Sequence, residues 1–397
     1  MKKEYKQLAP DYRLLLGPGP VEVSPRVLNA MSKPLYGHLD HKFLDIANET
    51  MELLRYAFQT ENRMTLPMSG TGSAGMETVM VNLLEPGDSA IVCVSGVFGQ
   101  RLRDMAGRCG AKVISVEAPW GEIIDPEKVR EAFKNNSNIK LVAIVHAETS
   151  TGVKQPLEEI SRIAKENDAL LVVDAVTSLG GTDLKIDEWG IDACYSGTQK
   201  ALSCPPGLSP VTFGKKAIEA LNNRKTKVNS WYLDLSMIQN YWGQERTYHH
   251  TAPINMIYGL REALLMVYEE GLEERFKRHQ LNSDAFVAGV EAMGLKMVVK
   301  NKEHRLPTLN AVSIPEGVED AAVRKYLLEK YGIEIGGGLG DFKGKAWRVG
   351  LMGESSSRNN VILLLGALGD AFMAQGHRAD VGAAITAALN VYQKTSR

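Results

Sequence analysis

Two side chains that are costly to bury stand at the ends of apolar runs. Asp174 closes ALLVVD, and Lys200 follows IDACYSG in YSGTQKALSCPPG. A carboxylate at the end of a buried strand needs a charge or hydrogen-bond partner. A cationic ring nitrogen is one such partner; a loop cap, a metal or a ribose hydroxyl are others. An amine in a semi-enclosed site can lose its proton and form a Schiff base with a carbonyl, although a lysine after a strand is by default a solvated loop charge. On successive strands of one sheet the two residues would share an edge, with Ser196 and Gly197 turning the chain ahead of Lys200. An acid that keeps a pyridine nitrogen protonated, beside an amine able to bind a carbonyl, is the pair that pyridoxal-phosphate (PLP) chemistry requires.

A third feature belongs with them. Ser69–Glu77 reads SGTGSAGME, with Gly70, Gly72 and Gly75 forming a literal G-x-G-x-x-G. Between a strand and a helix, such a turn can seat a phosphate on the helix N-terminus, on the backbone N–H groups of residues 70 to 73 and the Thr71 hydroxyl. A dinucleotide reading also requires an acid at the end of the next strand, ~20 residues on. That strand, SAIVCV, ends at Val94 and is followed by Ser95 and Gly96, while Asp88 lies at its wrong end. An NAD-linked oxidoreductase therefore lacks its ribose ligand. A turn that only brings the helix close to the sheet remains the bland alternative. Phe98 in SGVFGQR could stack on a cofactor ring or fill the core. Thr149 in HAETSTG could reach a ring oxygen or cap a turn, with His146 nearby. Arg348, inside the apolar strand AWRVGLMG, needs an acidic partner: either a substrate carboxylate gripped bidentately or a structural salt bridge.

The elements that must position these residues follow from periodicity. Strands are expected at 63–68, 89–94, 112–116, 139–145 and 169–173, with helices at 75–84, 101–109, 125–135 and 157–167 between them. Continuous apolar runs alternating with amphipathic helices indicate an α/β fold, a mostly parallel sheet covered on both faces, with ligands bound beyond the strands' carboxyl ends. From Pro253 to Met293 helices dominate. Strands at 296–299, 311–314 and 346–351 and helices at 320–331 and near the end then suit a smaller α+β unit. Leu14–Pro20, LLLGPGP, reads as an extended, turning segment. The expected organisation is an arm at 1–20, a large cofactor domain at 21–270 and a small domain at 271–397.

The bulk properties narrow the field further. The chain has 397 residues, 46 basic and 47 acidic, for a net charge of −1. No global basic field is available for nucleic acid or an anionic membrane. The N-terminus lacks the apolar core of a signal peptide, and no run approaches membrane-spanning length. Cys93, Cys109, Cys194 and Cys204 form no CxxC pair and read as buried thiols. A cytoplasmic protein is the expectation.

In order along the chain, SGTGSAGME, HAETSTG, VVDAVTSLGG, YSGTQKAL followed by PPG, TYHHTAP and the arginine of AWRVGLMG resemble the class V aminotransferase branch of the fold-type I PLP enzymes. The likeness is greatest to the alanine–glyoxylate and serine–pyruvate aminotransferases, and it spans LLLGPGP to the final helix. It implies a large domain with a mostly parallel seven-stranded sheet and a smaller C-terminal domain. It implies that Lys200 carries PLP and shuttles the substrate proton, and that Asp174 pairs with the ring nitrogen. Val176 lies beside the ring, and Phe98 stacks on it where relatives often have Trp. Ser69, Gly70, Thr71, Gly72, Ser73 and Gln199 surround the phosphate. Tyr248 and Thr251 reach the phosphate of a neighbouring subunit, hence a homodimer. Arg348 binds the substrate carboxylate, with Gly19 and Thr149 beside it, and residues 37–40 come near the site. The substrates implied are alanine or serine with glyoxylate or pyruvate. A ureidoglycine–glyoxylate enzyme is an alternative, against which Tyr248 stands where an amide side chain would be expected. A PLP-dependent lyase or desulfurase, with Cys204 as the thiol nearest Lys200, is another.

Overall fold

In the computed structural model, which describes residues 5–243 and 245–395, the apolar runs form one large sheet. The first four residues of the expected arm and the last two of the expected small domain lie outside the described residues. The strands are β1 (Met64–Ser69), β2 (Ser89–Val94), β3 (Lys112–Glu117), β4 (Ile139–Val145), β5 (Leu170–Asp174), β6 (Ala193–Tyr195) and β7 (Leu208–Phe213). Their order across the 7-stranded sheet is β1-β7-β6-β5-β4-β2-β3, and β7 runs antiparallel to both its neighbours. Central β5 is buried along its whole length, as both-face coverage by helices requires.

The helix after β1 begins at Gly72, three residues earlier than periodicity suggests, and the one after β2 begins at Val97 rather than near Arg101. Both early starts place backbone N–H groups at the carboxyl edge of the sheet. Glycine and small polar residues there are invisible to an apolar-periodicity reading, because a first helical turn facing a ligand or a loop need not be apolar.

Proline in β7 bears on the site. Pro210 sits opposite Pro67 on edge strand β1 and between two paired neighbours. A proline inside a sheet cannot donate to the ladder. The carbonyl that would want its N–H, that of Ser196, accepts instead from the Ser209 hydroxyl at 2.5 Å, and the Ser196 N–H still donates to Pro210 O. The chain leaving β6 toward Lys200 is thereby tied down. A Cβ on Gly75 would lie 2.0 Å from that Ser209 hydroxyl and 3.1 Å from Tyr195 Cβ, so the last glycine of the turn sets how closely the helix approaches the sheet.

A second, antiparallel sheet is built from β8 (Lys296–Met297), β9 (Leu309–Ser313), β10 (Gly336–Gly337) and β11 (Ala346–Gly350), in the order β8-β9-β11-β10. Arg348 sits in β11, opposite Ala311 on one side and Gly336 on the other. The expected strand at 296–299 is only two residues long. Leu14 and Leu15 pair in parallel with Ile333 and Glu334, and Leu14 and Leu16 join the apolar core of Phe286, Trp347 and Phe372. The end of the expected arm is thus packed into the second core. Among the described residues no helix is long and apolar enough to cross a membrane.

Replacing Gly75 with Ala should strike the Ser209 hydroxyl and cost about 1–3 kcal/mol of stability. Urea unfolding checks this; a midpoint equal to wild type would mean that the helix has room to shift.

Candidate active site

The carboxyl ends of the parallel strands bring together most of the residues that the sequence singles out. Asp174 is the last residue of β5 and pairs in register with Tyr195 at the end of β6. Lys200 follows β6 after the Ser196–Gly197 turn, and Thr149 follows β4 in a short hairpin, Ala147–Glu148 with Val153–Lys154.

Lys200 is buried, at 8% exposure. Burial first, and then the positive charge of Arg348, pull its amine down to about 8 against the opposing charge of Asp174. Its Nζ donates to the Pro18 carbonyl. A Cβ on Gly19 would lie 2.6–2.9 Å from the outer lysine side chain, so only glycine lets the LLLGPGP segment pass over it. The contact that Gly19 makes is with this lysine.

Asp174 is 2% exposed. The Tyr195 hydroxyl donates to its Oδ2 at 2.6 Å and the Val176 N–H to its Oδ1 at 2.8 Å. Burial drives the carboxyl up to about 6 against these two donors; the Glu148 charge adds to the rise and Lys200 opposes it. Two donors do not offset desolvation, so the carboxylate is set to welcome a cation. Tyr195 gave no sign in the sequence, where it reads as one aromatic of a buried strand.

Glu148 is the other residue that sequence reasoning missed. It is 1% exposed and caps the helix that begins at Val97. Its carboxylate accepts from the N–H of Phe98 at 3.4 Å, of Gly99 at 3.2 Å and of Ser150 at 3.1 Å, and from the Ser150 hydroxyl at 2.5 Å. Burial still leaves it raised above its ordinary value. The carboxylate fixes the start of the helix that carries Phe98, whose ring lies under the Arg101 guanidinium at 4.9 Å. A buried acid inside HAETSTG was the available signal.

Arg348 is 8% exposed. Its Nε donates to Gly337 O at 2.8 Å and its Nη1 to Thr149 O at 3.4 Å. Burial pulls the guanidinium down to about 10, and Glu148 acts on it through charge alone. No carboxylate among the described residues forms an ion pair with it. Thr149 itself shares a 2.5 Å hydrogen bond with the Thr177 hydroxyl.

At the glycine turn, Gly70 takes φ +133°, open to glycine and strained for other residues. Thr71 is the N-cap of the twelve-residue helix but makes no capping bond with its side chain, which leaves its hydroxyl and the first N–H groups available to an anion. A Cβ on Gly72 would lie 3.3 Å from Val176, and one on Gly197 2.8 Å from Gln199 Oε1, so these four residues share one small space. Gln199 Oε1 and His146 Nδ1 are buried and find no hydrogen-bond partner among the described residues. Burial pushes His146 down to about 3, a neutral ring packed edge-on against Trp189 and not a titrating base. The Ser69 hydroxyl is engaged with His250 Nε2 at 2.8 Å. Tyr248 and Thr251, on the same loop as His250, are exposed and lie 3.5 Å apart through their hydroxyls; Tyr248 also packs against His38 at 5.3 Å.

The donor set fits PLP. There is a buried amine with a lowered pKa for the carbonyl, an under-compensated carboxylate for a cationic ring nitrogen, and a glycine turn opening a helix for the phosphate.

The family model for class V aminotransferases matches residues 17–340. The alanine–glyoxylate aminotransferase of Drosophila melanogaster is 41% identical over 90% of this chain and 92% of its own. Among solved structures, the alanine–glyoxylate aminotransferase of Nostoc sp. superposes with a TM-score of 0.91 at 49% identity, covering 93% of this chain and 98% of its own. The ureidoglycine–glyoxylate aminotransferase of Bacillus subtilis gives 0.95 at 42% identity, covering 98% and 100%.

The Tyr195 hydroxyl favours the charged form of Asp174, so Tyr195→Phe should move the carboxyl's midpoint from about 6 to higher pH. Carbon-13 NMR of labelled aspartate in the cofactor-free protein checks this, and an unmoved midpoint would show the bond to be without electrostatic consequence.

Proposed function

The chain belongs to the class V aminotransferases, a PLP-dependent family, and we propose that it moves the amino group of alanine or serine to glyoxylate or pyruvate in a two-stage, ping-pong exchange. The observation that carries the transfer between 2-amino and 2-oxo acids is Arg348, a buried guanidinium held by two backbone carbonyls with no acid paired to it among the described residues; alanine or serine as donor follows from the likeness to the alanine–glyoxylate aminotransferases. Such a fork is completed by a ligand carboxylate, which every 2-amino and 2-oxo acid has.

Bound PLP supplies a carbonyl for the amino group and a ring that draws off the electrons of the substrate Cα–H bond. Lys200 holds it. Its Nζ would take the Cα proton and hand it on; burial lowers this amine from its ordinary value, which suits a group that must both accept and return a proton. Asp174 keeps the ring nitrogen charged, with Val176 N–H and Tyr195 orienting the carboxylate. Phe98 would stack on the ring, Thr149 would stand beside its oxygen, and Gly19, which already lies against Lys200, would stand beside the substrate. The turn from Ser69 to Ser73 and Gln199 receive the phosphate. Tyr248 and Thr251 complete the phosphate site of the second subunit of a homodimer, a reading supported by their exposure and by the exposed Leu35, Tyr36, Leu39 and Trp231.

The desulfurase alternative loses its nucleophile. Cys204 is 1% exposed and burial pushes its thiol up to about 12; the other three cysteines are buried as well. A ureidoglycine donor remains a second reading, supported by the likeness to the Bacillus subtilis enzyme along nearly the whole chain.

Lys200→Ala should abolish turnover and the lysine-linked visible absorbance; normal activity would refute the assignment. Arg348→Ala should raise KM for amino acids roughly ten- to hundredfold, and unchanged kinetics would remove it from the substrate. A panel of alanine, serine and ureidoglycine against glyoxylate and pyruvate separates the two readings. Light scattering after gel filtration should give twice the chain mass.

A further inference from the structure

Away from the reacting groups, one buried arginine touches loops from two strands of the site. Arg275 lies in the first turn of the helix Leu272–Ala292 and is 2% exposed. Its Nε donates to Gly180 O at 2.9 Å, its Nη2 to Ala201 O at 2.6 Å and its Nη1 to Glu270 at 2.5 Å. Ala201 directly follows Lys200, and Gly180 lies on the loop that leaves β5 after Asp174. One planar guanidinium thus bridges the carbonyl next to the lysine and the loop after the acid.

The next turn of the helix reaches a third loop. Arg278 donates to Gly353 O at 2.9 Å and Ser356 O at 2.7 Å, and it shares Glu270 with Arg275. His279 has a single possible tautomer. Its Nδ1 donates to Arg275 O at 2.7 Å, so its Nε2 accepts from Gly353 N–H at 2.8 Å. Gly353 follows β11, the strand of Arg348. The three loops close on one another without slack: a Cβ on Gly353 would lie 1.7 Å from Ser203 Oγ and 3.0 Å from Ala201 O, and one on Gly181 2.8 Å from Ala201 Cβ. Ser203 itself is held at φ +53°, its N–H on Lys200 O at 2.9 Å.

We infer that Arg275 is a positioning residue that sets where Lys200 stands relative to Asp174, by fixing the Ala201 carbonyl against the Gly180 loop. The inference rests on the assignment of Lys200 above. Lysine cannot replace the arginine, because a single ammonium lacks the fork that spans two carbonyls and a carboxylate. Glu270 is the counter-charge that makes the buried guanidinium tolerable.

The test uses holoenzyme of Arg275→Met, Arg275→Lys and Glu270→Gln, with kinetics normalised to bound cofactor. Displacing the lysine slows proton transfer without touching the carboxylate grip, so kcat should fall roughly ten- to hundredfold in Arg275→Met, with KM within about twofold. The pH midpoint of the lysine-linked absorbance should move as well. Arg275→Lys should fall between, and Glu270→Gln should shift both readouts in the same direction while keeping the arginine, which decides the matter if the Arg275 variants do not fold. Holoenzymes with wild-type kcat and midpoint would overturn the inference, even if their thermal stability had dropped. Wild-type protein without lysine-linked absorbance would instead refute the assignment of Lys200 itself.

Discussion

Taking the Lys200 amine out of water is the constraint on which the site depends. An ammonium in a dry pocket must lose its proton, find an acid or bond to something. Here burial and Arg348 both lower its pKa, and Asp174 only partly opposes them. Asp174 carries the mirror-image problem, a carboxylate whose two donors do not offset burial. Neither residue resolves the other: they are poised for a ligand that brings a carbonyl to one and a cation to the other. The pocket is stable with its charges unsettled because the loops around it are fixed by backbone hydrogen bonds, not by pairing of the functional groups among themselves.

Helix starts serve this arrangement in two opposite ways. At Gly72 the first turn is left open, with the Thr71 side chain free of capping, which suits an incoming anion. At Val97 the first turn is closed by Glu148, an anion already supplied by the chain. The two helices follow strands consecutive along the chain, and the proposed anion site differs from the structural cap in lacking a buried carboxylate of the chain's own. That carboxylate also acts on Arg348, Asp174 and the position of Phe98, so a residue with no evident part in the chemistry influences three that have one.

The fold was largely legible because its signal is repetitive. Runs such as SAIVCV and IKLVAIV match their strands to the residue, and the strand-end rule then marks Asp174, Thr149 and Lys200 as candidates, which their pairing and the family resemblance raise above a loop charge or a turn cap. Less legible was everything that depends on which residue faces which. Tyr195 beside Asp174, Glu148 beneath Val97, and Arg275 under Ala201 are each distant in sequence from their partners, and each reads locally as an ordinary residue of its element. Ser69 illustrates the same limit from the other side: its place in the glycine turn suggests a phosphate ligand, and only the fold brings His250 to its hydroxyl.

Substrate choice has a different physical origin from cofactor chemistry. In the roles proposed for them, Lys200, Asp174 and Arg348 act on atoms common to all 2-amino acids, so their geometry carries no information about the side chain. Discrimination must come from groups that meet what lies beyond Cα; residues 37–40 are the segment we propose for that part, and His38 of that segment lies against Tyr248 at the surface of this chain. A methyl side chain asks for no hydrogen bond, whereas a ureido group asks for several at once, and an unmet polar group in a closed site costs more than a missing methyl. On that asymmetry a small donor such as alanine leaves no polar group unmet, whereas ureidoglycine requires a site that supplies several hydrogen bonds at once.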